Sequence, residues 1–238
     1  MHSKRFWGLI LISLTLNNTK TLAQTLPLSP QLIPFNSSQG EQLLLDSQAR
    51  QDYFLLSNQF VTQINQAYCG VASSVMVLNA LGLSAPESLQ YKPFHVFTQE
   101  NFFERDETKK VVSADLVSRR GTTLAQLGDL LISHGAKVKV YYGSDVDLDR
   151  FRFLLLQNLS KRDNFVIVNY LRKTIGQERG GHISPIAAYN QRTDRFLILD
   201  VSRYKYPPVW VKAIDLWQAI KTTDSDSGKT RGFVLVTK

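Results

Sequence analysis

The sequence contains one cysteine, Cys69, so no disulfide bond can form within the chain. Its four histidines are scattered, and no CxxC or HxxxH spacing brings metal ligands together, so we expect neither a structural metal site nor a tightly bound cofactor. Internal repeats, heptad runs and low-complexity tracts are missing as well. These absences exclude a disulfide-rich module, a solenoid and a coiled coil.

The chain also lacks a basic stripe, since its net charge of +8 comes from scattered lysines and arginines that do not alternate with aromatic residues. Nucleic-acid binding is therefore not expected, although the positive excess favours anionic partners. Hydrophobic residues make up 43% of the chain and charged residues 20%, which is typical of a folded protein with a sizeable core. One domain, or one compact two-lobed domain, is the simplest interpretation.

A long hydrophobic run is missing too, because the one near the N-terminus, Phe6 to Leu16, is too short to span a bilayer comfortably. It follows a basic start and precedes Leu22-Ala23-Gln24, the layout of a secretory signal peptide over residues 1–23; a frayed terminal helix is the alternative. With the signal in use, we expect export to the periplasm without stable membrane insertion, and otherwise a cytoplasmic protein. A connector over residues 24–40 and one domain over residues 41–238 follow.

Helical patterns come first along the chain and strand patterns later. Helices are predicted over residues 41–56, 70–81, 124–133 and 147–159. Strands are predicted in AKVKVYYG, FVIVNY, HISPIAAY, RFLILDV and GFVLVT. This segregation predicts an α+β fold, with a helical lobe packed against an antiparallel β-sheet lobe and a cleft between them.

Cys69 lies where a loop gives way to the apolar helix over residues 70–81. A thiol in the first turn of a helix is close to the positive end of the helix dipole, which favours the thiolate and makes the sulfur a better nucleophile. The alternative is that Cys69 fills the core as a small apolar residue. Gln63, six residues earlier, favours a nucleophile, because its amide could donate to the same oxygen as the Cys69 N–H and form an oxyanion hole.

A histidine and an aspartate are placed to complete such a site. His182 follows two glycines at the start of a predicted strand, where it could act as general base and general acid. Asp200 ends the next predicted strand, and a hairpin centred on Gln191 would place it opposite His182, where it could orient the imidazole. Taken singly, His182 is better interpreted as a hydrogen-bonded core or rim histidine, and an aspartate such as Asp200 at the end of a strand commonly makes a turn.

The segments TQINQAYCGVAS, GHISPIAAYN, LILDVSRYKYPPVWV and GKTRGFVL together resemble the catalytic domain of the phytochelatin synthase family, from about Gln59 to the C-terminus. The resemblance implies a papain-like cysteine peptidase fold, with Cys69 as nucleophile, His182 as base and acid, Asp200 as orienting acid and Gln63 in the oxyanion hole. It implies glutathione as substrate: glycine leaves, and the gamma-Glu-Cys group passes to water or to a second glutathione. The residues implied to hold the substrate are Arg172, Arg203, Lys205, Tyr206, Asp224 and Arg231.

The sequence ends after GFVLVTK, and we expect no cysteine-rich C-terminal extension of the kind that the resemblance associates with plant and fungal members of the family. We therefore expect hydrolysis of glutathione with weak transpeptidase activity rather than metal-stimulated polymer synthesis. Cadmium or zinc is expected to arrive as a glutathione thiolate complex. The oligomeric state stays open, a homodimer included. Two other functions also stay open, a papain-like peptidase that cleaves a protein leader and a non-catalytic thiol or metal-binding module.

Overall fold

The computed structural model describes residues 25–238, and the predicted signal peptide lies outside the described residues. Within residues 25–238, no helix is both long and apolar enough to cross a bilayer. The described chain folds around one antiparallel sheet that carries helices on both of its faces.

Seven strands of the described chain form the sheet: β1 (Ile33–Pro34), β2 (Lys137–Tyr142), β3 (Asn164–Leu171), β4 (Gly181–Asn190), β5 (Arg195–Ile198), β6 (Val209–Lys212) and β7 (Gly232–Thr237). Their order across the sheet is β1-β6-β5-β4-β3-β7-β2, and every neighbouring pair is antiparallel. All five strands expected from the sequence are present. The central strands β3 and β4 are buried along almost their whole length, which is why their sequences are mostly apolar.

The helices are α1 (Ser38–Asp46), α2 (Gln51–Asn58), α3 (Cys69–Ala80), α4 (Asp106–Val111), α5 (Ala114–Arg120), α6 (Leu124–Ser133), α7 (Leu148–Leu159) and α8 (Ala213–Ile220). Short 3-10 turns lie at Gly143–Asp145 and Arg172–Ile175. The predicted helices α3, α6 and α7 are confirmed. Helix α6 opens on the expected capping box, in which Thr123 Oγ1 accepts from the Gln126 N–H and Gln126 Oε1 accepts from the Thr123 N–H.

The two faces of the sheet carry separate hydrophobic cores. One core lies between the sheet and helices α1, α2, α3 and α6, and the other lies between the sheet and helices α7 and α8. Along β3, Phe165 and Ile167 point into the first core while Val166 and Val168 point into the second. The α+β class is therefore confirmed, but the helices do not form one separate lobe, because α7 and α8 cover the back of the sheet.

The sequence patterns do not predict five of these elements, namely β1, β6, α4, α5 and α8. Strands β1 and β6 have two and four residues, and helices α4 and α5 have six and seven, which is too short for a clear period. Helix α8 buries Ala213, Leu216, Ala219 and Ile220, a helical spacing that the sequence does contain. The predicted helix over residues 41–56 is two helices, α1 and α2.

The stretch interpreted as a connector, residues 24–40, contains β1 and the start of α1. Leu32 and Ile33 are buried, and the Phe35 N–H donates to the Pro208 carbonyl oxygen at 2.9 Å. This part of the chain therefore packs along the β6 edge of the sheet. Because most of its residues are polar, the sequence does not indicate that a few apolar ones anchor it to the sheet.

The hairpin of β4 and β5 has a different register from the predicted one. Asn190 pairs with Arg195, so the loop comprises residues 191–194, and the register then shifts between Ile186 and Ala188. The predicted pairing of His182 with Asp200 across the ladder is therefore wrong. Asp200 lies beyond the end of β5, where the chain has left the sheet, and it reaches the His182 ring from there.

His134 shows how burial acts on a titratable group in this fold. Its ring follows α6 and lies between the rings of Phe97 and Phe102, with Nε2 3.4 Å from Thr108 Oγ1. Burial, together with the positive charge of Arg105, lowers the pKa of His134 to about 4. Between pH 6.5 and about 4 the unfolded chain therefore binds a proton that the folded chain does not.

We expect this difference to remove about 2 kcal/mol of folding free energy as the pH falls through that interval. Urea unfolding of the wild type and of His134→Phe at several pH values measures it, because titrations elsewhere in the chain contribute equally to both proteins. The stability of the wild type relative to the variant should fall as the pH is lowered. A stability difference that does not change with pH would contradict the assignment.

Candidate active site

The cysteine is the first residue of α3, and its sulfur lies at the N-terminal end of that helix. Tyr68 is the N-cap residue, and in the described chain no side chain caps the amides of the first turn. These amides and the helix dipole make the region around the sulfur positive. Cys69 is only 8% exposed, yet it lines an open cleft, so a small substrate can reach it.

The imidazole of His182 contacts the sulfur from the start of β4. Its Nε2 lies 2.8 Å from Asp200 Oδ1 and 2.9 Å from Ser184 Oγ. This leaves Nδ1 as the ring nitrogen that can form a hydrogen bond with the Cys69 thiol. The structure thus brings together the three residues that the sequence predicts as nucleophile, base and orienting acid.

Asp200 is fully buried behind the imidazole and accepts several hydrogen bonds. Its Oδ1 accepts from the Ser202 backbone N–H at 2.8 Å as well as from His182. Arg172 donates to both carboxylate oxygens, Nη1 to Oδ2 at 2.7 Å and Nη2 to Oδ1 at 3.0 Å. A buried carboxylate with this many donors is held in its ionised form.

The surroundings lower the pKa values of Cys69 and Asp200 and raise the pKa of His182. Burial alone would raise the pKa of the Cys69 thiol, but the hydrogen bond and charge of His182 outweigh it and lower that pKa. Burial would lower the pKa of His182, but the charge of Asp200 raises it above its ordinary value. Burial would raise the pKa of Asp200, and His182 and Arg172 instead hold it far below the usual range. The pair is therefore poised to exist as thiolate and imidazolium.

The cleft beside Cys69 and His182 measures about 440 Å³, which is enough for a short peptide. Two of the six predicted substrate residues, Asp224 and Arg231, line it. Arg231 Nη1 donates to Asn169 Oδ1 at 3.0 Å, and its Nη2 lies 3.5 Å from Asp224 Oδ1. A β-carbon at Gly181 would lie too close to Arg231 Nη1, so any larger residue there would require the guanidinium to shift.

The other four predicted substrate residues lie outside the described lining of the cleft. The Arg203 guanidinium stacks 4.8 Å from the centre of the Phe60 ring, and Lys205 Nζ pairs with Glu178 Oε2 at 3.0 Å. Tyr206 is buried beneath Arg172, which is itself engaged by Asp200. Arg172 and Tyr206 are thus enclosed by other protein groups and do not reach the lining of the cleft in this structure, and their contact with substrate stays a prediction.

Gln63 is buried next to the loop that follows Asp200. Its Oε1 accepts from Ser202 Oγ at 2.7 Å, and its Nε2 donates to the Asn65 carbonyl oxygen at 2.7 Å and to Tyr204 Oη at 3.2 Å. Both amide hydrogens are thus engaged, and within residues 25–238 Gln63 does not line the cleft. Action in an oxyanion hole would require one of these hydrogen bonds to be exchanged for the substrate.

Several cleft residues are missing from the predicted set, among them Asn169, Thr122 and the pair Arg119-Arg120 at the end of α5. Asn169 could have been found as the polar residue inside the apolar run FVIVNY, and the adjacent arginines before Gly121 as a local charge signal. Thr122 Oγ1 and Arg231 Nε are buried and have no hydrogen-bond partner among the described residues. Unpartnered buried polar atoms on a cleft wall favour a polar ligand there.

The fold and the site define a class: an α+β protein with a cysteine at a helix start, hydrogen-bonded to a histidine that an aspartate orients, on the wall of an open cleft. The family model described as "Phytochelatin synthase" matches residues 23–233 of this chain. The chain therefore belongs to the phytochelatin synthase family. Within residues 25–238, no group of three or more histidine, cysteine, aspartate or glutamate side chains is arranged to hold a metal ion.

Named relatives agree with this family. The chain is 36% identical to "Glutathione gamma-glutamylcysteinyltransferase 1" of Lotus japonicus, over 88% of this chain and 41% of that protein. It is 35% identical to the protein of the same name from Arabidopsis thaliana, over 88% and 42%. It is 29% identical to "Glutathione gamma-glutamylcysteinyltransferase" of Schizosaccharomyces pombe, over 88% and 50%. The chain thus spans half or less of the length of these relatives.

Proposed function

We propose that the protein cleaves the Cys-Gly bond of glutathione through a gamma-Glu-Cys acyl-enzyme on Cys69. The observation that carries the proposal is the hydrogen-bonded series of Cys69, His182 and Asp200 on the wall of a peptide-sized cleft. The relatives' names support the substrate. A papain-like fold is part of the proposal, supported by the nucleophile helix α3 packed on an antiparallel sheet.

Two half-reactions follow from the geometry. The Cys69 thiolate attacks the carbonyl carbon of the Cys-Gly bond, a C–S bond forms, and the His182 imidazolium gives its proton to the glycine nitrogen as the C–N bond breaks. Neutral His182 then takes a proton from water, or from the amine of a second glutathione, as that nucleophile attacks the thioester. The sulfur leaves as thiolate, and the imidazolium is restored.

The oxyanion formed in each step needs preorganised donors. The Cys69 backbone N–H at the start of α3 is one, since the first amides of a helix have no partner within the helix. We assign Gln63 as the second donor. Ser202 supports this assignment, because its hydroxyl donates to Gln63 Oε1 while its backbone N–H donates to Asp200 Oδ1. This role requires the Gln63 amide to release Tyr204 Oη or the Asn65 carbonyl when substrate enters.

The gamma-Glu end of glutathione carries an amino group and a carboxylate, and the cleft offers matching charges. The Arg231 fork suits the carboxylate, and Asp224 suits the ammonium. The unpartnered Arg231 Nε and Thr122 Oγ1 would gain partners in the complex. Cadmium or zinc, where present, would enter as a glutathione thiolate complex, and hence as part of the substrate.

The test is to trap the acyl-enzyme. Wild-type protein mixed with glutathione and quenched in acid within the first turnover should carry a gamma-Glu-Cys group on the peptide that contains Cys69, with one glycine released for each group attached, as mass spectrometry and amino-acid analysis would detect. Assays with and without a second glutathione in excess separate hydrolysis from transfer. Absence of the adduct and of glycine release would overturn the proposal, and faster cleavage of protein leader peptides would favour the peptidase alternative.

A further inference from the structure

Arg172 lies deep behind the nucleophile, on the far side of Asp200. It begins the 3-10 turn after β3 and is 3% exposed. Its two terminal nitrogens donate to the two oxygens of Asp200, at 2.7 and 3.0 Å, so that guanidinium and carboxylate meet as parallel forks. A bidentate pair fixes the rotation of the carboxylate as well as its charge.

The guanidinium is itself held in place by two loops. Its carbon lies 5.1 Å from the centre of the Tyr206 ring, and Nη1 also donates to Gln177 Oε1. The same loops are joined by a hydrogen bond from the Glu178 N–H to Tyr206 Oη at 2.8 Å. Arg172 therefore has little freedom to turn, and Asp200 Oδ1 is kept 2.8 Å from His182 Nε2.

We propose that Arg172 is a positioning residue, which fixes Asp200 and, through Asp200, the imidazole of His182 beside the sulfur. This inference rests on the proposed thiol chemistry at Cys69. It replaces the sequence-based assignment of Arg172 to the substrate, because a buried guanidinium enclosed by a carboxylate and an aromatic ring has no donor fork left for a ligand.

Charged and titratable groups from each packed element face this position. Helix α3 supplies Cys69, β3 supplies Tyr170, β4 supplies His182, and the segments after β5 supply Asp200 and Tyr206. Burial raises the pKa of the Cys69 thiol, and the charge of Arg172 is one of the influences that lower it. Removal of that charge should therefore raise the thiol pKa further than a change of fork that keeps the charge.

Two variants separate charge from geometry. Arg172→Lys keeps the positive charge but loses the bidentate fork, and Arg172→Gln loses both. The readouts are kcat and KM for glycine release, and the pH profile of iodoacetamide alkylation, which reports on Cys69 alone because it is the only cysteine. Arg192→Gln is the matched control, since Arg192 is an exposed arginine that pairs with Asp46 on the surface.

We expect Arg172→Lys to lower kcat by about tenfold to a hundredfold through misplacement of the imidazole, with KM within about twofold of the wild type. Its alkylation midpoint should shift less than that of Arg172→Gln, because the positive charge is kept. Arg172→Gln should move that midpoint to higher pH and slow alkylation near neutral pH by about threefold to tenfold. The Arg192→Gln control should leave all three quantities unchanged.

Other results would overturn the inference. A large rise in KM for Arg172→Lys, with unchanged kcat, would return Arg172 to the substrate. Wild-type kcat in that variant would show that the fork is dispensable. Arg172→Gln leaves Asp200 buried without its cation and is the variant at risk of not folding, in which case kcat for Arg172→Lys decides alone. The alkylation profile needs no glutathione, so it stays informative even if glycine is not released.

Discussion

Replacement of Cys69 by alanine should abolish glycine release from glutathione, with a rate loss of about 10⁴- to 10⁶-fold. The reason is that the proposed route passes through a thioester on this sulfur, and the sequence contains no other cysteine to take its place. The comparison of initial rates, with free glycine as the measured product, gives the size of the loss.

The fold should tolerate this change, so the loss can be assigned to chemistry. Cys69 makes no disulfide, and alanine fits a position that is already buried at the start of a helix. Thermal unfolding of the variant checks this, and Cys69→Ser adds a near-isosteric control whose hydroxyl is far less acidic than a thiol. Glycine release that persists in Cys69→Ala would place the nucleophile elsewhere and remove the basis of the proposed function.

The chemistry-bearing residues could be predicted because each has a local signature. A unique cysteine at a helix start, a histidine after two glycines and an aspartate at the end of an apolar strand are all readable within a few residues. Long apolar strands were equally readable, since β3 and β4 are buried on both faces. What joins these features in space is the sheet, and its strand order follows from contacts between distant segments.

The register of β4 and β5 shows why pairing could not be derived from pattern alone. A hairpin centred on Gln191 predicts one register, but the observed loop of residues 191–194 is held by Asn190, whose Oδ1 accepts from the N–H and hydroxyl of Thr193. Asp194, in the same loop, has a left-handed backbone conformation. A further irregularity in β4, between Ile186 and Ala188, shifts the register of its pairing with β5. The His182 and Asp200 side chains still meet because Asp200 lies beyond the sheet, where ladder register no longer applies.

Arg172 shows why the sequence alone does not tell whether a charged residue contacts a substrate. An arginine in a loop that contains glycines is typical of an exposed, ligand-binding position. The carboxylate that pairs with it belongs to Asp200, 28 positions later, and the local sequence does not reveal it. Asp224 and Arg231 illustrate the reverse case, because both do line the cleft. The sequence thus indicates which side chains carry charge, while burial decides whether a charge faces a substrate or another protein group.

The protonation state of the Cys69 sulfur depends on opposing influences, and a second variant can change their sum. Burial raises the pKa of Cys69, and the hydrogen bond and charge of His182 are the largest influences that lower it. The thiolate is thus present above the lowered thiol pKa, and the imidazolium is present below the raised pKa of His182. Activity that needs both forms should fall at acid pH as the thiolate is protonated and at alkaline pH as the imidazolium is lost.

His182→Gln should lower glycine release by about 10³- to 10⁴-fold, since it removes the proton donor and the partner of the thiolate together. Only the backbone hydrogen bond of Ile183 and the charge of Arg172 then still oppose burial, so the pKa of Cys69 should rise relative to the wild type and iodoacetamide alkylation near neutral pH should slow. His95→Gln is the matched control, because His95 is exposed and its Nδ1 lies 3.1 Å from the Ala85 carbonyl oxygen. An alkylation profile that His182→Gln leaves unchanged would mean that another group stabilises the thiolate, and the proposed pairing of sulfur and imidazole would have to be abandoned.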